Sequence, residues 1–248
     1  MRAELMIAPA KLTVSLRVTG VRADGFHLID AEMVSLDLAD ELAIDPDGRG
    51  LDVVGAEGSA VPTGEENLVR QALRLSDRTA HVRLVKRIPA GAGLGGGSAD
   101  AAAVLRWAGF LDLVAASALG ADVPFCLVGG RARVTGIGEV LEPRAFAPRT
   151  FTLVTPPFGC STPAVYRAWD DLGGPTAAGP NDLEPAAIAI EPRLAEWRDR
   201  LGGATGQEPV LAGSGSTWFV EGAFPAAGAV VRTVPASTPV PGFRACSR

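Results

Sequence analysis

An α+β fold in two lobes is the architecture this sequence predicts, and three observations carry it. Residues 8–18 alternate apolar and polar side chains with a period of two, as a strand with one face in the core does. Residues 66–77 place Leu68, Ala72, Leu73 and Leu75 along one helical face with arginines opposite. Strands and helices then mix without the strict alternation of a doubly wound parallel sheet, and the character of the chain changes near Thr150. At 248 residues the chain is about one and a half average domains long, which suits two lobes with a cleft between them.

In the first strand Ala8, Ala10, Leu12, Val14, Leu16 and Val18 face one way, and Pro9, Lys11, Thr13, Ser15 and Arg17 the other. Asp24-Gly25 breaks the chain into a turn. Residues 31–36 and 40–44 read as two further strands, with a turn at 37–40 between them. After the amphipathic helix, Val82, Leu84 and Ile88 mark a strand that Pro89 ends. A glycine-rich loop fills 91–97, and Ser98 reads as the N-cap of an alanine-rich helix. Asp122 reads as the cap of another helix, with Pro124 in its first turn. Strands are expected at 131–135, around Val140 and at 151–154. Beyond a Gly/Pro-rich stretch at 173–180 come two or three short helices, then a second glycine cluster at 213–216.

Composition excludes several classes. With 47% hydrophobic and 21% charged residues the chain is globular, not disordered, and its 30 glycines and 19 prolines follow no collagen-like period. The net charge of −5 and the scattered arginines, such as Arg70, Arg74 and Arg78 at helical spacing, offer no basic stripe for nucleic acid. Cys126, Cys160 and Cys246 are widely spaced, and His27 and His81 lie far apart, so no metal-ligand spacing occurs and no metal ligand is assigned. Residues 101–119 are apolar but interrupted by Arg106 and Asp112, too broken for a membrane span. No signal peptide is read at the start, and a cytoplasmic location is expected. One oddity stands out: among 23 basic residues only Lys11 and Lys86 are lysines.

The strongest local signal is Pro89-Ala90-Gly91-Ala92-Gly93-Leu94-Gly95-Gly96-Gly97-Ser98-Ala99. Glycines let backbone N–H groups approach an anion, and the helix that follows aims its positive end at the same place. Phosphate is the expected guest, since so many glycines are costly in a mere connector. A Walker A loop fails for want of a lysine before Ser98. Gly91, Gly93 and Gly96 match the dinucleotide pattern, but His81, Arg83 and Arg87 make the preceding strand too polar for a central Rossmann strand.

The loop resembles the second motif of the GHMP kinase superfamily, which holds the ATP triphosphate. Ala8-Pro9-Ala10-Lys11-Leu12 is similar to the first motif of that family, and Leu211-Ala212-Gly213-Ser214-Gly215-Ser216 to the third. Within the superfamily, residues 18–27 (VTGVRADGFH), 119–125 (LGADVPF), 65–68 (EENL) and 181–184 (NDLE) resemble the branch that phosphorylates 4-(cytidine 5'-diphospho)-2-C-methyl-D-erythritol in the non-mevalonate isoprenoid route. The resemblance covers most of the chain. It implies a ribosomal S5 domain 2-like N-terminal lobe over 1–149, a ferredoxin-like C-terminal lobe over 150–248, and an active site in the cleft between them.

Residue by residue, the resemblance implies Asp122 as general base and Lys11 as the ammonium beside it; helix capping is the structural alternative for Asp122. It implies Phe26, His27 and Tyr166 around the cytosine, with core packing the alternative for Tyr166. It places Asn67 and Lys86 near the adenine, their alternatives being a helix-start residue and an exposed strand lysine. Residues 89–99 would wrap the triphosphate, with Mg²⁺ expected to accompany ATP. Thr13 departs from the family, which carries asparagine two residues after the lysine. The stretch 107–120 is shorter than the family shows, which bears on where Asp122 ends up. Two other readings stay open: a GHMP kinase of a smaller alcohol such as mevalonate or homoserine, and a catalytically silent binding protein of the same fold. Phe26, His27 and Tyr166 weigh against the first and the Lys11 and Asp122 pair against the second.

Overall fold

The computed structural model describes residues 3–55 and 61–236, so Cys246 lies outside the described residues. A long antiparallel hairpin is its spine: β1 (Glu4–Val21) pairs with β2 (His27–Asp45) from Glu4 opposite Ile44 to Val21 opposite His27. Gly25, at a φ of 86°, supplies the left-handed residue in the connecting turn. The turn expected at 37–40 does not exist, and β2 runs through it. β1 keeps pairing alongside, with Pro9 opposite Ala39 and Ala8 opposite Asp40. The carboxylates that suggested a turn instead accept backbone N–H groups from distant segments, Asp37 from Arg232 and Asp40 from Ile88.

β3 (Gly50–Val54) runs parallel to β4 (His81–Val85), which pairs with β2; α1 (Leu68–Leu75) lies between them in the chain. β4 ends at Val85, short of the expected Ile88, because Asp40 takes the Ile88 amide out of the ladder. α2 (Gly96–Trp107), α3 (Leu113–Ser117) and α4 (Val123–Val128) follow. β5 (Arg131–Gly136) pairs with β2 and with β6 (Val140–Pro143). β7 (Thr150–Val154), α5 (Thr162–Asp171), α6 (Glu184–Ile190), α7 (Arg193–Thr205), β8 (Val210–Leu211), β9 (Trp218–Glu221) and β10 (Ala229–Val234) complete the chain. β10 joins the halves: Thr233 pairs with Leu36 of β2, and Val231 with Phe151 of β7. The resulting path through the sheet is β3-β4-β2-β10-β7-β9-β8.

Leu12, Leu42, Leu84, Phe125, Phe151 and Trp218 are fully buried. Each such side chain contributes about 1.5–3 kcal/mol of burial against the exposed state. α2 presents Ala101, Ala102 and Ala103, all without exposed surface, so small side chains let it lie close against β1, α1 and α4. Ser98 does not cap this helix. α2 begins two residues earlier, with Gly95 at the cap in a left-handed conformation that offers no side-chain bond. Among the described residues no helix is long and apolar enough to cross a membrane.

Candidate active site

A cavity of about 850 Å³ opens where β1, the glycine loop, α5 and the starts of α1 and α4 converge, a size that suits small molecules. β1 brings Lys11 and Thr13 to it. Register shifts in the β1–β2 ladder flank the pair, between Pro9 and Lys11 and between Thr13 and Ser15, and such bulges re-aim side chains. The strand expected to be half-buried is therefore buried on both faces from Ala10 to Thr13. Lys11 Nζ donates to Thr13 Oγ1 at 3.1 Å and pairs with Asp122 Oδ2 at 3.3 Å.

Asp122 occupies the cap position of α4, yet its carboxylate makes no capping bond. The capping role is left to the backbone, and the side chain turns to Lys11 while lining the cavity. The short 107–120 stretch holds α3 and still delivers Asp122 to the lysine. One turn into α4, burial pushes the Cys126 thiol up to about 12 and the Asp122 charge adds to it. That group is an inert core thiol.

The glycine loop alternates left-handed glycines with anchored apolar residues. Gly91, Gly93 and Gly95 have φ of 70°, 77° and 68°, and Ala92 and Leu94 between them are buried. The Ala92 carbonyl accepts from the Thr217 amide at 3.1 Å and the Leu94 carbonyl from the Lys11 amide at 3.0 Å. The loop is thus hydrogen-bonded on one side to the first motif and on the other to the chain just after the third. Alternating left-handed residues leading into a helix N-terminus form an anion-binding concavity.

Asn67 lines the cavity, but its side chain caps α1: Oδ1 accepts from the Val69 amide at 2.8 Å, and Nδ2 donates to the Pro62 carbonyl at 2.6 Å. Lys86 is not the exposed strand lysine that was its alternative. It is 7% exposed and wedged between the carboxylates of Asp40 and Asp100. Burial pushes the Asp100 carboxyl up to about 7 against the pull of Lys86, and its Oδ1 has no hydrogen-bond partner among the described residues.

At the opposite end, His27 and Tyr166 are brought together across the chain, with ring centroids 4.6 Å apart and planes tilted by 33°. His27 also meets the edge of Trp169 and bonds Asp170 Oδ1 through Nε2 at 2.8 Å. Burial pushes the Tyr166 phenol well above its ordinary range. Phe26, 56% exposed, lines the cavity beside them. An apolar slot edged by a histidine and a phenol can hold a flat heterocycle and hydrogen-bond its rim. Among the described residues no three acidic, His or Cys side chains gather as a metal cage.

Sequence reasoning missed four supporting side chains. Asn181 donates to the carbonyls of Leu211 at 2.8 Å and Gly213 at 2.7 Å, fastening the second glycine cluster. Asp170 lies four residues after Tyr166, and that spacing could have placed it on the same helical face. Asp40 and Asp100 gave no local signal, because their common partner is distant in the chain.

Residues 67–130 match the GHMP kinases N terminal domain. A protein of Paracoccus denitrificans (strain Pd 1222) called 4-diphosphocytidyl-2-C-methyl-D-erythritol kinase is 40% identical over 233 residues, 86% of this chain and 84% of its own. The protein of that name from Ruegeria pomeroyi (strain ATCC 700808 / DSM 15171 / DSS-3) is 39% identical over 255 residues, 92% and 91% of the two chains. A crystal structure of 4-(cytidine 5'-diphospho)-2C-methyl-D-erythritol kinase superposes with a TM-score of 0.74 at 34% identity, covering 93% of this chain and 98% of that one. The L. major mevalonate kinase, at 14% identity and a TM-score of 0.61, shares the fold.

Proposed function

Since this chain belongs to the 4-diphosphocytidyl-2-C-methyl-D-erythritol kinases of the GHMP superfamily, we propose that its cavity transfers the γ-phosphoryl group of ATP to the 2-hydroxyl of 4-(cytidine 5'-diphospho)-2-C-methyl-D-erythritol. The observation that carries the mechanism is the Lys11–Asp122 pair, set on the cavity wall with the glycine loop beside it. The substrate oxygen forms a bond to the γ-phosphorus as the bond from phosphorus to the ADP oxygen breaks. The hydroxyl proton passes to the Asp122 carboxylate, the only proton transfer the step requires.

Lys11 has two tasks in this reading. Its ammonium, 3.3 Å from Asp122, orients the carboxylate, and it offsets charge that builds on the transferred group. Thr13 holds that ammonium in place through its hydroxyl. Residues 89–99 cradle the triphosphate with backbone N–H groups. Mg²⁺ arriving with ATP would supply charge neutralisation for the phosphates, and no side chain of this chain is assigned to hold it. The two ligands take different ends of the cavity, Asn67 and the loop lining the nucleotide end and Phe26, His27 and Tyr166 the cytidine end. The division into units of 1–149 and 150–248 belongs to the same reading, with the cavity between them, as does a cytoplasmic enzyme acting on small molecules.

The test is an ADP-release assay with ATP and the cytidyl alcohol, comparing the protein with Asp122→Asn. The expected result is turnover that the variant lowers by about 10²–10⁴-fold with little change in KM for ATP. Turnover of mevalonate or homoserine in place of the cytidyl alcohol would overturn the substrate. Unchanged turnover in the variant would remove Asp122 as the base.

A further inference from the structure

Lys86, Asp40 and Asp100 are 7%, 0% and 3% exposed, a buried cluster to which the reaction above assigns no step. Lys86 Nζ donates to Asp40 Oδ2 and, at 2.8 Å, to Asp100 Oδ2. The other oxygen of Asp40 accepts the amides of Arg87 and Ile88, the latter at 2.8 Å. Residues 87–88 lead into the glycine loop, and Asp100 sits near the start of α2, where the chain leaves it. One lysine therefore ties the two ends of the loop to each other through β2.

The loop has need of such a tie. Glycine has more backbone freedom than any other residue, and three of these glycines hold left-handed conformations outside any regular element. The fit around the tie is close: a Cβ on Gly96 would come within 3.1 Å of Lys86 Nζ. Moving the ammonium out to meet a nucleotide would leave two buried carboxylates facing each other without a counter-charge, a costly arrangement. Resting on the kinase reading above, we infer that Asp40, Lys86 and Asp100 are positioning residues that hold the two ends of the phosphate loop in register, from the edge of the cavity that Lys86 and Asp100 line.

Amide hydrogen exchange of the ligand-free protein tests this without depending on catalysis. The Lys11 and Thr217 amides donate to the loop carbonyls of Leu94 and Ala92, and so report where the loop sits. Asp100→Ala cuts the tie at α2 and leaves the Lys86–Asp40 pair. Exchange at Lys11, Thr217 and Ala99 is expected to quicken about tenfold, with the β7 amides unchanged. KM for ATP should rise several-fold while KM for the cytidyl alcohol holds. Asp100→Asn keeps an oxygen acceptor for Lys86 and should restore both readouts. Wild-type exchange at Lys11 and Thr217 in Asp100→Ala, or quickening that extends through β7, would overturn the inference. Failure of Asp100→Asn to restore either readout would do the same. If Asp100→Ala does not fold, Asp100→Ser, whose hydroxyl is too short to reach Lys86, carries the same reading. Loss of the kinase reading would show instead as no turnover by the wild type, with the exchange result standing apart from it.

Discussion

Replacing Gly93 by alanine separates two costs that a glycine loop combines. Gly93 has a φ of 77°, where an L-residue loses about 1–2 kcal/mol. Its new Cβ would also stand 2.5 Å from the Ala212 carbonyl oxygen and 2.7 Å from that of Gly215. Both obstacles are backbone in the second glycine cluster, so no side chain can swing aside, and the two glycine segments must part. Parting them breaks the bond from the Thr217 amide to the Ala92 carbonyl, about 1 kcal/mol more, with packing losses besides. The total is about 3 kcal/mol or more. Gly109 is the control: its φ is 71°, but nothing lies within 4 Å of an added Cβ, so Gly109→Ala incurs the conformational cost alone. In urea unfolding with unchanged slope, the midpoint for Gly93→Ala should fall about twice as far as that for Gly109→Ala. KM for ATP should rise in the first variant and hold in the second. Equal midpoint shifts would show that the contact between the two loops contributes nothing, and the account of the loop would fail.

Tyr166→Leu removes the aromatic face that meets His27 and should raise KM for the cytidyl alcohol about tenfold, leaving KM for ATP in place; initial-rate kinetics with each substrate varied decides this. Phe125, without exposed surface, should cost about 3–5 kcal/mol of unfolding free energy when cut to alanine, read by the same urea titration. The Asp100 carboxyl, raised from 3.8 to about 7 by burial with Lys86 and Asp40 facing it, holds its proton more tightly in the folded chain than in the unfolded one. Its contribution to stability therefore declines as pH rises from about 4 to about 7. Asp100→Asn removes that decline, so its melting temperature should gain on the wild type across this window; parallel melting curves for the two proteins would refute it.

Much of the site was legible because its signals are local. Period two placed Lys11 and Thr13 on one strand, and the run of glycines before a helix marked a phosphate loop within a dozen residues. The three motifs in order carried the family. The false turn at 37–40 came from the same local logic: two aspartates suggest a turn when their hydrogen-bond partners are out of sight. Those partners, the amides of Arg232 and Ile88, lie far along the chain.

Taken alone, the sequence determined the fold class and the family, since these depend on patterns and motifs a few residues wide. Tertiary structure decided which side chains stand together. It turned the Asp122 carboxylate from its helix end to Lys11, set His27 against a tyrosine and against Asp170, 143 residues away, and enclosed Lys86 between two carboxylates, one of them 46 residues distant. A charge takes its role from what burial places beside it, and burial is a property of the assembled sheet and helices. The two lysines of the chain illustrate the division. They are equally plain in the sequence, and folding buries both on the wall of one cavity, but it sets one beside Thr13 and Asp122 and the other between Asp40 and Asp100.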